Sequence, residues 1–350
     1  MKKNSMIAAF AWVAGLVCLS LLLLSACGSS HTEEPSVTMR QLQHERIELP
    51  DMLLASPGGI QQIGDELLII DFRSDSLFHR VHVPRREYLG QYGQRGQGPE
   101  DFIHPASLNP YGRNALCCYD QGTRRLKVIE RDSLTHRLRN FTLLTCNGPW
   151  NFDVIPFGEG RFVVQGCIQD SLFAVIDGDG EPVCLAGEYP YRDVTERSLN
   201  PHFRAMAYQG PFRITPSGKM AFAAASSKIM YIYRLEQDRL QPVNIQAEWY
   251  SDYMPESNKG GGFSVVFKSS VVAYRDLSLS DSRIYALYSG RLYREKGWYC
   301  QYIHAYDWEG NLKEQYQLDV PIIFFCVDES ARRIYGIASQ PNPELVQFEF

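Results

Sequence analysis

The chain has 350 residues, a formal net charge of −5 and 45% hydrophobic residues, so it is long and apolar enough to bury a large core. The net charge is negative, and no local run of basic residues offsets it. Because phosphate backbones repel such a surface, nucleic acid is excluded as a partner. The cysteine and histidine spacings match no zinc or redox motif. We therefore expect neither a cofactor nor a bound metal ion.

The amino-terminal segment has the layout of a secretory leader. Two lysines precede the apolar run Met6–Leu24, and the small residues Ser25 and Ala26 stand before Cys27. This order resembles the lipobox of bacterial lipoproteins, in which the cysteine takes a lipid after cleavage. We expect residues 1–26 to be a signal peptide and Cys27 to be the lipid attachment site. The alternative is an uncleaved membrane helix, because the run approaches spanning length.

These features predict a bacterial cell-envelope protein, an outer-membrane lipoprotein that faces the periplasm or the medium. Membrane attachment is expected through the lipid alone. Residues 27–40 are rich in polar residues with little to bury, which predicts a flexible tether. Residues 41–350 are expected to form a single domain. Its short runs of Val, Ile, Phe and Tyr, broken by Gly, Pro, Asp and Asn, indicate an all-β fold.

A polar turn followed by an apolar strand recurs six times within this domain. Successive copies lie 46 to 64 residues apart, as marked by Leu67, Ala115, Arg161, Lys219, Arg283 and Arg333. Several copies continue into further strands, so each offers about four. This repeat length is typical of propeller blades. Six copies predict a six-bladed β-propeller, with a large β-sandwich as the rival architecture.

The last copy, Ala331–Phe350, contains only two clear strands. We expect the amino-terminal segment His44–Pro50 to supply a missing strand to this blade. Such pairing closes the ring and hides two sheet edges.

Several segments resemble the TolB-like six-bladed propeller lipoproteins and their NHL-repeat relatives. They are the stretches Ala207–Leu235 and Ile284–Tyr293, the sequences AYDWEGNLKEQYQLD and VDESARRIYGIA, and the connector Gly93–Pro105. The resemblance covers most of the predicted domain. It implies a lipid-anchored propeller and assigns no catalytic residue.

Three motifs have a structural interpretation that we prefer to a functional one. The glycine-rich segment Gly90–Pro99 is followed by no helical pattern, so we expect a connector rather than a phosphate loop. Asp177–Glu181 has too few ligands for a calcium loop and predicts a hairpin turn. His79 and His82 are three residues apart in a predicted strand and should face opposite sides.

The longest connections between predicted strands are Glu188–Pro211 and Trp249–Phe263. Binding residues often lie on such loops, so Arg204, Tyr208 and Arg291 are candidate ligand-face residues, with packing as the alternative role for each. We expect a non-catalytic module that binds protein, peptide or glycan. The alternative is a calcium-dependent hydrolase or lactonase with a site on the propeller axis.

Overall fold

A computed structural model of the protein describes residues 37–112, 114–146, 151–158, 160–257, 262–269, 271–339 and 341–350. Cys27 and the predicted leader lie outside the described residues. Thr38–Phe350 form one compact unit. Almost all of its regular secondary structure is strand. Within the described ranges, no helix has the length and apolarity needed to span a bilayer.

Four separate antiparallel sheets follow one another along the chain, each with four strands. The first contains β3 (Pro57–Ile63), β4 (Glu66–Asp71), β5 (Ser76–His82) and β6 (Glu87–Gln94). The second contains β7 (Asn109–Pro110), β8 (Ala115–Asp120), β9 (Arg125–Arg131) and β10 (Leu138–Thr145). The third contains β11 (Asn151–Phe157), β12 (Arg161–Ile168), β13 (Ser171–Ile176) and β14 (Pro182–Glu188). The fourth contains β15 (Phe212–Ile214), β16 (Lys219–Ala223), β17 (Lys228–Glu236) and β18 (Arg239–Trp249).

The remaining large sheet has eight strands. They are β1 (Thr38–Leu42), β2 (His44–Arg46), β21 (Val271–Leu279), β22 (Ile284–Leu292), β23 (Cys300–Tyr306), β24 (Leu312–Asp328), β25 (Arg333–Ala338) and β26 (Glu344–Glu349). The long strand β24 pairs with β23 along its first part and with β25 from Ile322 to Asp328. One strand is therefore shared by two halves of this sheet.

The amino-terminal strands join this sheet at two places. His44–Arg46 pair antiparallel with β26, so the predicted pairing of this segment with the last strands is confirmed. Strand β1 pairs parallel with β24. It begins at Thr38, three residues before the domain boundary expected at residue 41.

The repeat pattern correctly located strands in every copy. Each marker lies in, or directly before, the second strand of its copy: β4, β8, β12, β16, β22 or β25. Most residues of these strands are buried, and in β4 all six are. A strand that is buried on both faces has a continuous apolar sequence. This is why the repeat of strands could be recognised in the sequence.

Two connections between sheets have secondary structure of their own. The first forms two short helices, Val194–Arg197 and Pro201–Ala207. The second forms the hairpin β19 (Asp252–Ser257) and β20 (Phe263–Ser269). The two insertions contact each other, since the rings of His202 and Phe263 stack with centroids 4.7 Å apart.

Hydrophobic clusters fill the space between neighbouring sheets. One cluster joins Ile60 and Leu67 of the first sheet to Tyr335 and Ile337 of the eight-stranded sheet. Others join the first sheet to the second, the second to the third and fourth, and the fourth to β21–β23. Burial of these apolar faces is the main stabilising contribution.

The cysteines belong to this packing. All seven cysteines in the described part of the chain are free, and six of them are buried. Burial raises the pKa of the Cys300 thiol to about 12, so this thiol stays protonated and behaves as a small apolar side chain.

Candidate functional site

A cavity of about 540 Å³ lies where the first strands of the successive copies come together. Residues of β3, β11, β15, β21 and β24 line it, together with the segments before β7 and after the helix Pro201–Ala207. We call it the axial cavity. It contains two carboxylates, two guanidinium groups and several aromatic rings, so its chemistry is set by how these groups are paired.

The first carboxylate belongs to an ion pair across two sheets. Asp276 of β21 accepts a hydrogen bond of 2.8 Å from Nη2 of Arg213 on β15. Its Oδ1 also accepts the Leu277 amide at 2.9 Å. Burial raises the pKa of Asp276, and the Arg213 charge opposes that shift. Asp276 is thus already engaged by protein groups.

The second carboxylate, Asp153 on β11, is held by a chain of hydrogen bonds. Its Oδ2 accepts the Ser107 hydroxyl at 2.5 Å, and Ser107 Oγ accepts the Asn109 amide at 2.9 Å. Burial raises the pKa of Asp153 to about 6, with the Ser107 hydrogen bond acting in the opposite direction. Asp153 therefore changes its charge close to neutral pH.

Arg275 differs from these paired groups. No described residue accepts a hydrogen bond from its side chain, and its buried Nε has no partner among the described residues. Its guanidinium lies 4.6 Å from the ring centroid of Phe324. A stacked guanidinium keeps its in-plane N–H donors free. Arg275 is thus an available anion-binding group.

A second cavity of about 400 Å³ adjoins the axial cavity at Arg275. We call it the side cavity. The two share four lining residues, Ala225, Ser226, Phe267 and Arg275. The other residues that line the side cavity are Val272, Tyr274, Tyr293 and Trp298. A ligand that reaches Arg275 from the side cavity therefore lies among aromatic rings.

Another cluster, outside both cavities, has the donor types of a metal centre. Asp65, Glu66 and His136 bring ligand atoms within 4.8 Å of one another. Glu66, however, accepts Arg131 Nε at 2.6 Å and Arg80 Nη2 at 2.9 Å, while Arg131 also contacts Asp65 and His136. Two guanidinium groups already neutralise these acids, so the cluster is an ion-pair network.

The candidate residues Arg204 and Tyr208 lie in the helical insertion and are buried. Arg204 donates to the Tyr189 carbonyl at 3.1 Å, and the Tyr208 hydroxyl donates to Glu196 at 2.8 Å. Burial is the main cause of the raised pKa of Tyr208. Their side chains pack the insertion onto the sheets and line neither cavity. Arg291 is exposed at the end of β22 and also lines neither cavity.

The two histidines of β5 have separate partners. His79 is buried and bonds Ser74 and Tyr88, both at 2.9 Å, and burial lowers its pKa. His82 lies 3.0 Å from Asp65. The two side chains therefore contact different groups.

The two loop motifs adopt turn and strand structure. Asp177 Oδ1 accepts the amides of Asp179 and Glu181, both at 3.0 Å, which closes the predicted hairpin turn. The segment Gly90–Pro99 forms the end of β6 and the start of the connector to the second sheet, as expected.

The residues that make the cavities distinctive were not identified from the sequence. Arg275 and Asp276 interrupt the apolar strand VVAYRDLSL. Charged residues inside an otherwise buried strand are a signal of a special site. That signal was present, but the pairing of Asp276 with Arg213 depends on the tertiary fold.

A family model for TolB-like 6-blade propeller-like proteins matches residues 38–330. The chain belongs to this family. No curated protein is significantly similar to it in sequence.

Solved structures with the same fold come from several bacteria. A member of the DUF4221 family from Bacteroides vulgatus has a TM-score of 0.53 and 10% identity, over 88% of this chain and 95% of that one. A protein from Bacteroides fragilis has a TM-score of 0.52 and 14% identity, over 89% and 99%. Regucalcin from Agrobacterium tumefaciens, a calcium-binding protein, has a TM-score of 0.51 and 10% identity, over 89% and 95%. These similarities concern the propeller fold.

Proposed function

We propose that this TolB-like protein is a non-catalytic binding module of the cell envelope, and that its axial and side cavities hold a segment of a protein, peptide or glycan partner. One observation carries the proposal. The two acids of the axial cavity are engaged by Arg213 and Ser107, whereas the guanidinium of Arg275 has no acceptor among the described residues. An unpaired charge beside aromatic walls suits recognition.

The scaffold in this proposal is a closed ring of six blades. Four blades are the four-stranded sheets, and the eight-stranded sheet supplies two more, divided along β24. Support comes from the pairing of β2 with β26 and from the apolar cluster between the first and last strands. A closed ring holds the cavity-lining strands rigidly, which favours binding without rearrangement.

Attachment to the membrane through a lipid on Cys27 is part of the same proposal. It is supported by the leader sequence and by the fold shared with the Bacteroides fragilis protein, which is thought to be exported. Mass spectrometry of the protein isolated from bacterial membranes tests it. We expect an acylated chain that begins at residue 27, and a Cys27→Ser variant without acyl groups. An intact leader without acylation would contradict the anchor.

Binding is tested with the full-length protein in detergent on peptide and glycan arrays. We expect retention of ligands that Arg275→Met weakens, and no turnover of lactones, esters or glycosides. Absence of binding on both arrays would overturn the proposal, as would turnover that Asp153→Asn abolishes.

The second candidate is the calcium-dependent hydrolase. Asp153 favours it, because a carboxyl with a pKa of about 6 in a cavity is suited to acid–base chemistry. The shared fold with the calcium-binding regucalcin adds weak support. Calorimetric titration with calcium separates the two candidates. Stoichiometric binding that is lost in Asp153→Asn would favour the hydrolase.

A further inference from the structure

The side cavity combines one cation with a wall of rings. Arg275 lies at its junction with the axial cavity, and Phe267, Tyr274, Tyr293 and Trp298 line the remainder. Its volume of about 400 Å³ is within the range for small-ligand sites. The cavity therefore has the size and the chemistry to hold one or two ring-shaped units.

The charge at the junction favours an anion. Asp276 is paired with Arg213 and also feels the charge of Arg275, but no described residue forms an ion pair or a side-chain hydrogen bond with Arg275 itself. A carboxylate matches the fork of a guanidinium group and accepts two parallel hydrogen bonds from it. The half-buried position of Arg275 strengthens this interaction relative to a fully exposed pair.

The aromatic residues at the mouth offer polar edges as well as flat faces. Tyr293 is 48% exposed, and its ring contacts that of Trp298 at a steep angle. The Tyr293 hydroxyl and the Trp298 indole N–H are the polar groups of this ring pair. Such rings pack against the C–H face of a sugar while their donors reach its hydroxyl groups.

Part of the backbone around the cavity is engaged in sheet pairing. The Ala273 amide donates to the Ala225 carbonyl at 2.7 Å, and Val272 and Tyr274 lie in the β21–β22 ladder. Recognition of a peptide carboxyl terminus usually relies on free backbone amides. The side cavity offers the guanidinium of Arg275 and the aromatic rings for recognition, and these side chains favour a sugar over a peptide end.

The backbone that carries the ring pair forms a tight turn. Tyr293–Glu295 form a 3₁₀ turn, and Lys296 closes it in the left-handed region with φ of 61°. A Cβ on Gly297 would lie 2.7 Å from the Arg291 carbonyl oxygen, so the backbone is tightly packed there. A constrained backbone at this turn lowers the entropic cost of binding.

We propose that the side cavity binds a sugar ring that carries a carboxylate, such as the hexuronate unit of an acidic glycan. Arg275 holds the carboxylate, and Tyr293 and Trp298 hold the ring. The inference rests on the proposed binding function and names its ligand class.

Calorimetry of the full-length protein in detergent with digalacturonate tests this inference. Arg275→Met should weaken binding about tenfold or more, because a charge-assisted bidentate contact is lost. The methyl-esterified disaccharide keeps the rings but lacks the charge, so its weaker binding should not change in Arg275→Met. Trp298→Ala should weaken binding of both compounds.

Two further variants serve as controls. Arg85→Met removes an exposed arginine that lines neither cavity, and it should bind digalacturonate like the unmodified protein. Arg275→Lys keeps the charge but loses the planar fork, so it should bind with intermediate affinity. This variant also provides a folded comparison if Arg275→Met is unstable.

The possible outcomes distinguish the ligand class from the function. Digalacturonate binding that is absent, or insensitive to Arg275→Met, would overturn the inference. Arg275-dependent binding of a peptide with a free carboxyl terminus, without digalacturonate binding, would also overturn it while the binding function stands. No binding to the disaccharide or to either array would remove both proposals.

Discussion

The side chains of Arg213 and Asp276 join two different sheets through a contact of 2.8 Å between Nη2 and Oδ1. Both are largely buried, so removal of one partner leaves an uncompensated charge. We expect Arg213→Met to lower the free energy of unfolding at pH 7 by about 3 kcal/mol. Denaturant titration measures this change. The Arg213→Met/Asp276→Asn double variant should regain most of the loss, and equal losses in both variants would contradict the prediction.

Asp153 should make stability depend on pH. Its pKa in the folded protein is about 6, above about 3.9 for an unfolded aspartate. The folded state binds the proton more tightly, so the stabilisation from Asp153 is present below pH about 4 and is lost as the pH rises towards about 6.

We therefore expect Asp153→Asn to be more stable than the unmodified protein at pH 7, by about 3 kcal/mol at most. The difference between the two should shrink as the pH falls from about 6 to about 4. Unfolding curves at several pH values measure it. Asp75→Asn, at an exposed position, should follow the unmodified protein throughout. A constant difference between Asp153→Asn and the unmodified protein would contradict the assignment.

Strand β1 contains one buried and one exposed apolar residue, so substitutions at these two positions form a matched pair. Leu42 is 5% exposed and packs in the cluster with Tyr316 and Leu318, whereas Met39 on the same strand is 56% exposed. Leu42→Ala should cost about 2–3 kcal/mol of unfolding free energy, because it leaves a cavity. Met39→Ala should change it by about 0.5 kcal/mol or less. Similar effects of the two substitutions on the thermal midpoint would show that β1 is not packed as described.

Two features require glycine at position 93: its backbone conformation and the closeness of a neighbouring side chain. Its φ is 78°, and a Cβ there would lie 2.5 Å from the buried Phe78 ring. Gly90 has a φ of 90° but faces open space. Gly90→Ala should therefore cost only the backbone strain, about 1–2 kcal/mol. Gly93→Ala should cost clearly more, because the ring cannot move freely. Denaturant titration of the two variants tests the order, and a larger loss for Gly90→Ala would contradict it.

The sequence predicted the strands well because they are buried on both faces. Runs such as ELLIID and ALCCYD need no tertiary information to be recognised. The propeller class followed from their repetition, and the family from the resemblance of several segments to TolB-like propellers. The shortage of strands in the last copy also predicted that His44–Pro50 would supply one, and His44–Arg46 of this segment pair with β26.

The structure of the two insertions and the positions of the cavities could not be predicted from the sequence. The helix Pro201–Ala207 has seven residues, too few to show a clear helical period. Arg204 and Tyr208 were chosen because a long connection suggested exposure, yet this connection folds back and buries them. The cavities consist of residues from distant copies, such as Ser107, Arg213 and Arg275, and only the tertiary fold brings these together.

The shared strand β24 has a consequence for protein engineering. Its 17 residues bond first to β23 and then to β25 without an intervening loop. The carboxy-terminal third of the chain therefore has no natural cut point between its two halves. Circular permutation, split-protein fragments and inserted reporter domains belong instead in an exposed hairpin turn such as Asp177–Glu181, where a break in the chain leaves the neighbouring strands paired.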